Sequence, residues 1–462
     1  MRKQMNDVIV LLPGILGSVL KRGGKDVWAL SGGAIGKTIL SLGGSIRELA
    51  LVDQSGDPTL AADGVTADRL LDDVHLIPGL WKIDGYTKVA NAIQSEFEVE
   101  PGANYFPFPY DWRRDNRVAA KQLAAKTAAW MSSWRQRPGH EEAKLILIAH
   151  SMGGLVARYF LECLEGWRQT RMLITFGTPY RGSLNALDTL ANGLKVGFGP
   201  LQLDLSPFAR SLVGLHQLLP IYPCYDDGHG RLGRPYEITG IPGLDGDKAR
   251  AANAFHREIE SAVNVHLKDN AYLTNRYPIH AVVGRKQPTK QSALLANGKV
   301  QFLESYEGTD LEGDGTVPLV SATPIEMADD AGRVYAAELH SSLQNADAVL
   351  VNLGGILGAL NIHGDQFRAA PPTLGVALRL RLDDAYPAGS PIQMTVEPAE
   401  EWVELEASVV DVDSNRTIQS LPVGAAGSSR RSLTFAGLAA GTYRVTLTGD
   451  GAIPVNDVFA VF

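Results

Sequence analysis

Short apolar runs recur along the first three quarters of the chain: Val8–Leu12, Leu145–Ala149, Met172–Phe176, Ile279–Val283 and Val334–Leu339. They are rich in β-branched residues and lack polar alternation. Such runs suit strands covered on both faces, as in a parallel sheet. Helical patterns stand between them. Arg117–Trp134 is rich in alanine, and Gly154–Glu165 sets Val156, Phe160, Cys163 and Leu164 on one stripe. Strand–helix alternation predicts an open α/β sheet.

The pattern changes near residue 370, where Pro371 and Pro372 break it. Beyond them Val376, Leu378, Leu380 and Leu382 alternate with Ala377, Arg379 and Arg381. Val403, Leu405, Ala407 and Val409 repeat the alternation, as do Tyr443, Val445 and Leu447. Turn-forming stretches such as AYPAGSP and VDSN separate these runs. Period two with frequent turns predicts a small all-β, Ig-like sandwich over 371–462, behind a first domain over 1–370. Two apolar segments, 29–52 and 192–223, follow neither period. They read either as extra core or as lids over an apolar pocket.

Composition narrows the class. Of 462 residues, 45 % are hydrophobic and 20 % charged, which excludes a disordered or collagen-like chain. The net charge of −8, with no dense basic run, argues against nucleic acid as a partner. Two cysteines, Cys163 and Cys224, provide no disulfide scaffold. No stretch approaches the ~20 apolar residues of a transmembrane segment. The run Val8–Leu12 is too short for the apolar core of a signal peptide. A cytoplasmic protein with at most peripheral membrane contact is expected.

The most informative segment is LILIAHSMGGLVARYF. A buried strand runs straight into Ala149-His150-Ser151-Met152-Gly153, and an amphipathic helix follows. This is the context that a G-x-S-x-G nucleophile elbow requires, with Ala149 in place of the first glycine. Ser151 is the candidate nucleophile. An activated serine needs a base, and the base needs an orienting acid, in the chain order Ser, acid, His. His340, directly after VYAAEL, is the candidate base, and His363 in NIHGD is its alternative. His280 lies inside a strand pattern, and His150 reads as packing. Asp310, Glu312 and Asp314 compete for the acid. Asp314, flanked by glycines and followed by Thr-Val-Pro, best suits a carboxylate held in a turn. The same stretch resembles the start of a calcium loop, but Ser321 occupies the twelfth position, where that loop needs Glu. The oxyanion donors are expected at the backbone of Met152 and of Ile15, in the glycine-rich loop Leu12–Ser18. This chemistry requires no metal and no cofactor.

Six segments then stand in a telling order: VIVLLPGILGSVL, FPFPYDWRRDNR, LIAHSMGGLVARYF, ITFGTPYRGS, GDGTVPLVSA and ELHSSL. Together they resemble the lecithin:cholesterol acyltransferase-like family, which includes lysosomal phospholipase A2 and phospholipid:diacylglycerol acyltransferases. The resemblance covers roughly residues 8–345. It implies an α/β-hydrolase fold and acyl-ester chemistry on lipids, as a phospholipase A, lipase or acyltransferase. It places the triad on Ser151, Asp314 and His340, and the oxyanion donors on Ile15 and Met152. PYDWR (Pro109–Arg113) and GTPYRGS (Gly177–Ser183) become positioning elements. A lipid or membrane surface becomes the expected partner. The sandwich is foreign to the usual family architecture, and docking to another protein or surface is the role left to it. An esterase for small soluble esters, or a binding protein with a vestigial hydrolase domain, remains the alternative.

Overall fold

The computed structural model describes residues 2–28, 46, 48–51, 63–72, 75–77, 81–196, 202–228, 230–327, 333–361, 376–398, 403–424 and 430–462. Most of segment 29–52, His363 and the expected boundary at 370 lie outside them. The apolar runs form one six-stranded sheet: β1 (Val8–Leu12), β2 (Tyr105–Pro107), β3 (Leu145–His150), β4 (Thr170–Phe176), β5 (Ile279–Gly284) and β6 (Arg333–Ala336). Their order is β6-β5-β4-β3-β1-β2, and every neighbouring pair is parallel. All of β1 and β3 are buried, which explains their lack of polar alternation. With its crossover helices this is an α/β-hydrolase fold. Strand β2 escaped the pattern because it has three residues and ends in Pro107; such a strand belongs at an edge.

Helix α1 (Asn116–Arg135) is capped by Asp115, whose carboxylate accepts the Arg117 amide. Helix α2 (Met152–Cys163) packs on α1 and on α3 (Gly246–His266). It starts two residues before the stripe predicts, because β3 passes into it through Ser151 alone. Strand β6 ends at Ala336, short of the expected Leu339. Its neighbour β5 ends at Gly284, the partner of Ala336, so the ladder has nothing further to pair with. Ala337–Leu339 instead leave the sheet toward the site. Within segment 192–223, Leu205, Phe208, Leu212, Leu215 and Leu218 are fully buried in the main core.

The three alternating runs fall in strands β7 (Leu378–Leu382), β9 (Leu405–Asp411) and β12 (Gly441–Thr448), and four strands outside those runs, β8 (Ile392–Pro398), β10 (Arg416–Val423), β11 (Arg431–Phe435) and β13 (Val455–Val461), complete the sandwich. One sheet has the order β7-β8-β11; the other runs β13-β12-β9-β10, with Ala385–Tyr386 added beside β13. Their inward residues make a separate core that includes Ile392, Val409, Val445 and Phe459. At the β9–β10 hairpin the Asp411 carboxylate accepts the Ser414 amide at 2.8 Å, and Asn415, the last residue of VDSN, takes φ 53°, as a turn there requires. No helix among the described residues is long and apolar enough to cross a membrane.

Candidate active site

Ser151 joins β3 to α2 with φ 52° and ψ −125°, a conformation that side-chain-bearing residues seldom adopt. The join is held from both sides. The Ser151 amide donates to Phe176 O at 2.9 Å, and Thr178 Oγ1 donates to Ser151 O at 3.0 Å. Two residues on, the chain passes so close to the first loop that a Cβ on Gly153 would meet the Pro13 carbonyl oxygen. That contact is the reason for a small residue after the serine.

Asp314 and His340 come from loops that follow β5 and β6. His340 Nε2 lies 2.9 Å from Ser151 Oγ, and His340 Nδ1 lies 2.8 Å from Asp314 Oδ2. The other carboxylate oxygen, Oδ1, accepts the amides of Thr316 at 3.0 Å and Val317 at 2.7 Å. The His340 amide also donates to Asp314 O at 2.8 Å, so acid and base are joined twice. All three side chains are buried. Gly177 passes beneath them at φ 56°, where a Cβ would stand 2.8 Å from His340 Nδ1 and 2.9 Å from Asp314 Oδ2. Asp310 and Glu312 are used elsewhere. Asp310 accepts Gln291 Nε2 at 2.6 Å, and Glu312 pairs with Arg285 at 2.7 Å and Lys286 at 2.8 Å. His280 sits half-buried in β5.

Ile15 and Met152 are fully buried, and neither amide N–H donates to a partner among the described residues. Met152 opens α2, so its N–H is one of the helix's orphan donors and carries the positive end of the helix dipole. Leu16, next to Ile15, holds φ 64°, a second strained backbone in the same place. PYDWR fastens this loop. Tyr110 Oη donates to Pro13 O at 2.9 Å, and Trp112 Nε1 donates to Ser18 O at 3.1 Å. The guanidinium of Arg113, wholly buried, donates to both Asp111 oxygens at 2.8 and 2.6 Å and to Leu49 O at 3.0 Å. GTPYRGS ties the elbow to the acid loop: beyond the Thr178 bond, Ser183 Oγ donates to Thr316 O at 2.5 Å.

Two residues with no local sequence signature complete the site. The Gly14 amide donates to Tyr86 Oη at 2.7 Å. Tyr86 O–H is then left to donate to His150 Nδ1 at 3.0 Å, and His150 Nε2–H donates to His340 O at 3.2 Å. Burial, with His340 beside it, lowers the His150 pKa well below the usual range, so its ring is neutral and Nδ1 can accept. Burial raises the Tyr86 phenol pKa, so it stays a donor. His150 is therefore not mere packing: it links the oxyanion loop to the base. On the far side of the base loop, burial lifts the Glu338 carboxyl to about 8.

Ser151 thus stands strained on a strand–helix elbow and is hydrogen-bonded through His340 to Asp314. The lecithin:cholesterol acyltransferase family model matches residues 58–229, a stretch that holds three of the six motifs. A lecithin-cholesterol acyltransferase-like protein of Arabidopsis thaliana is 24 % identical over 268 residues, 55 % of this chain and 57 % of the relative. An uncharacterized protein of Saccharomyces cerevisiae is 28 % identical over 113 residues, 24 % of this chain and 16 % of the relative. The chain thus spans at most 57 % of the length of these two relatives. Among solved structures, a Bacillus licheniformis lipase in propeptide form is 12 % identical with a TM-score of 0.37, the match covering 100 % of this chain and 94 % of that one.

Proposed function

We propose that this chain is a serine hydrolase or acyltransferase acting on acyl esters of lipids, with Ser151 as nucleophile, His340 as base and Asp314 as orienting acid. The observation that carries the reading is the unbroken chain of bonds from Ser151 Oγ through His340 to Asp314 Oδ2, at 2.9 and 2.8 Å. His340 Nε2 takes the serine proton as Oγ attacks the ester carbonyl. The amides of Ile15 and Met152 receive the oxyanion. Asp314 holds the imidazolium by its Nδ1–H, and its own charge is steadied by two backbone amides. His340 then protonates the departing alcohol, leaving an acyl-enzyme. Water or a second alcohol, deprotonated by the same nitrogen, releases the acyl group.

Lipid is the substrate class that the acyltransferase-type region favours. Ser151 has no exposed surface, so the ester reaches it only once the structure around the elbow moves. The test is fatty-acid release from phospholipid vesicles and triacylglycerol emulsions by the parent and by Ser151→Ala. Activity lost in the variant supports the reading; undiminished cleavage overturns it. A rate on short-chain esters that does not rise above the micellar threshold would assign small soluble esters instead.

A further inference from the structure

Both loops that carry the acid and the base are fastened to the sandwich. On the acid side the fastener is Gln287, 2 % exposed and just beyond β5. Its backbone amide donates to Gly313 O at 2.9 Å, so it runs alongside the Asp314 turn. Its side chain faces the other way. Nε2 donates to Leu378 O at 2.9 Å and Oε1 accepts the Leu380 amide at 3.2 Å, so the amide pairs with the edge of β7 as a strand would. Thr289 completes the strap: its Oγ1 donates to Gln287 O at 2.8 Å and accepts the Gly315 amide at 2.8 Å.

On the base side the fastener is Glu338, two residues before His340 and 3 % exposed. Its Oε1 accepts the Asn456 amide at 3.1 Å and the Leu339 amide at 3.0 Å, and Oε2 accepts Asn456 Nδ2 at 3.3 Å. Leu339, the residue immediately before the base, packs against the sandwich core. Beside these contacts a cavity of about 700 Å³, lined by His340, Asp314, Arg381 and Thr395 among others, separates the two parts. Elsewhere the parts meet through Val458 and Ala460 of β13, buried in the main core, and through Lys82 paired with Asp384 and Asp457, so the sandwich stays seated when one fastener is cut.

We propose that the C-terminal sandwich is a positioning module for catalysis, holding the acid turn through Gln287 and the base loop through Glu338. The proposal rests on the serine-hydrolase reading above. Gln287 and Glu338 touch no reacting atom; they are positioning residues. Small displacements of a base from its nucleophile are costly, on the order of a hundredfold for about 1 Å. Loss of either fastener should therefore act on kcat and leave KM in place.

The experiment compares the full-length parent with Gln287→Leu, Glu338→Met, Glu338→Gln and, as a control on the sandwich surface, Ile418→Ser. Reactive serine is counted by exhaustive titration with a fluorophosphonate, so rates refer to folded enzyme. Expected is a fall of about 10- to 100-fold in kcat for Gln287→Leu and Glu338→Met. KM should hold, and the pH–rate midpoint should move with the disturbed His340–Asp314 pair. Glu338→Gln keeps an acceptor for Asn456 and should recover most of the rate; Ile418→Ser should match the parent. A kcat within twofold of the parent for either Gln287→Leu or Glu338→Met overturns the proposal. A parent that the phosphonate does not label, or a Ser151→Ala protein that it does, overturns the serine reading instead.

Discussion

Removing one oxygen atom, by Tyr86→Phe, tests the relay between the oxyanion loop and the base. The ring stays, so packing around it is kept. Two buried groups lose their partner: the Gly14 amide, now 2.7 Å from Tyr86 Oη, and His150 Nδ1, now 3.0 Å from it. Each unsatisfied buried polar group costs about 1–3 kcal/mol, so stability should fall by about 2–6 kcal/mol in a urea titration. The catalytic effect has a different origin. Gly14 precedes Ile15, whose amide is the proposed oxyanion donor, and complete loss of such a donor costs about 10²–10³ in kcat. Tyr86→Phe loosens the donor rather than deleting it. A fall of about 10- to 100-fold in kcat is expected, with KM within twofold, in a steady-state assay on a soluble ester. The refuting result is a variant with the expected loss of stability and a kcat within twofold of the parent. The tyrosine would then hold the fold together and contribute nothing to the placement of the loop.

Gly177→Ala puts a Cβ 2.8 Å from His340 Nδ1 at φ 56°, so activity should fall at least about tenfold while the strained backbone costs about 1 kcal/mol; circular dichroism and kcat together check this. Arg113→Lys keeps the charge but cannot reproduce the fork to Asp111, and breaking such a buried pair should cost about 3 kcal/mol in chemical denaturation. Burial lowers His216 and His256 to about 4, below the ordinary ~6.5 of an unfolded histidine. Below pH ~6.5 the unfolded chain therefore binds more protons than the native one, and stability should drop as pH falls from there to about 4. His256→Gln should flatten that slope; an unchanged slope would remove His256 from the account.

The sequence displayed what is local. A serine between small residues, with a buried strand before it and an amphipathic helix after it, needs no distant partner to be read. The sandwich was equally plain where one polar and one core face force period two, as in β7, β9 and β12; β13, almost wholly buried, does not alternate. Asp314 could be preferred over Asp310 and Glu312 only by its turn. The structure places it at His340 and shows the other two carboxylates occupied by Gln291, Arg285 and Lys286. Tyr86, His150, Gln287 and Glu338 were not legible as site residues. Each works through two bonds to residues 64 to 190 positions away, and so few long-range bonds leave no period and no motif. Strand β2 was missed for a related reason: three residues at a sheet edge are too few to show an alternation.

The double junction of Asp314 with His340 has a consequence for how such a chain can vary. Backbone bond and side-chain bond close a ring around residues 26 positions apart. Whatever the chain does between the acid turn and β6, the two ends meet in the same way. Past the ties at Ser321, which bonds Arg181 and Gly182, and at Glu326, which pairs with Arg158, length can be gained or lost before β6 without retuning the proton path. The ring isolates chemistry from elaboration, and it marks the stretch before β6 as the place to graft new specificity.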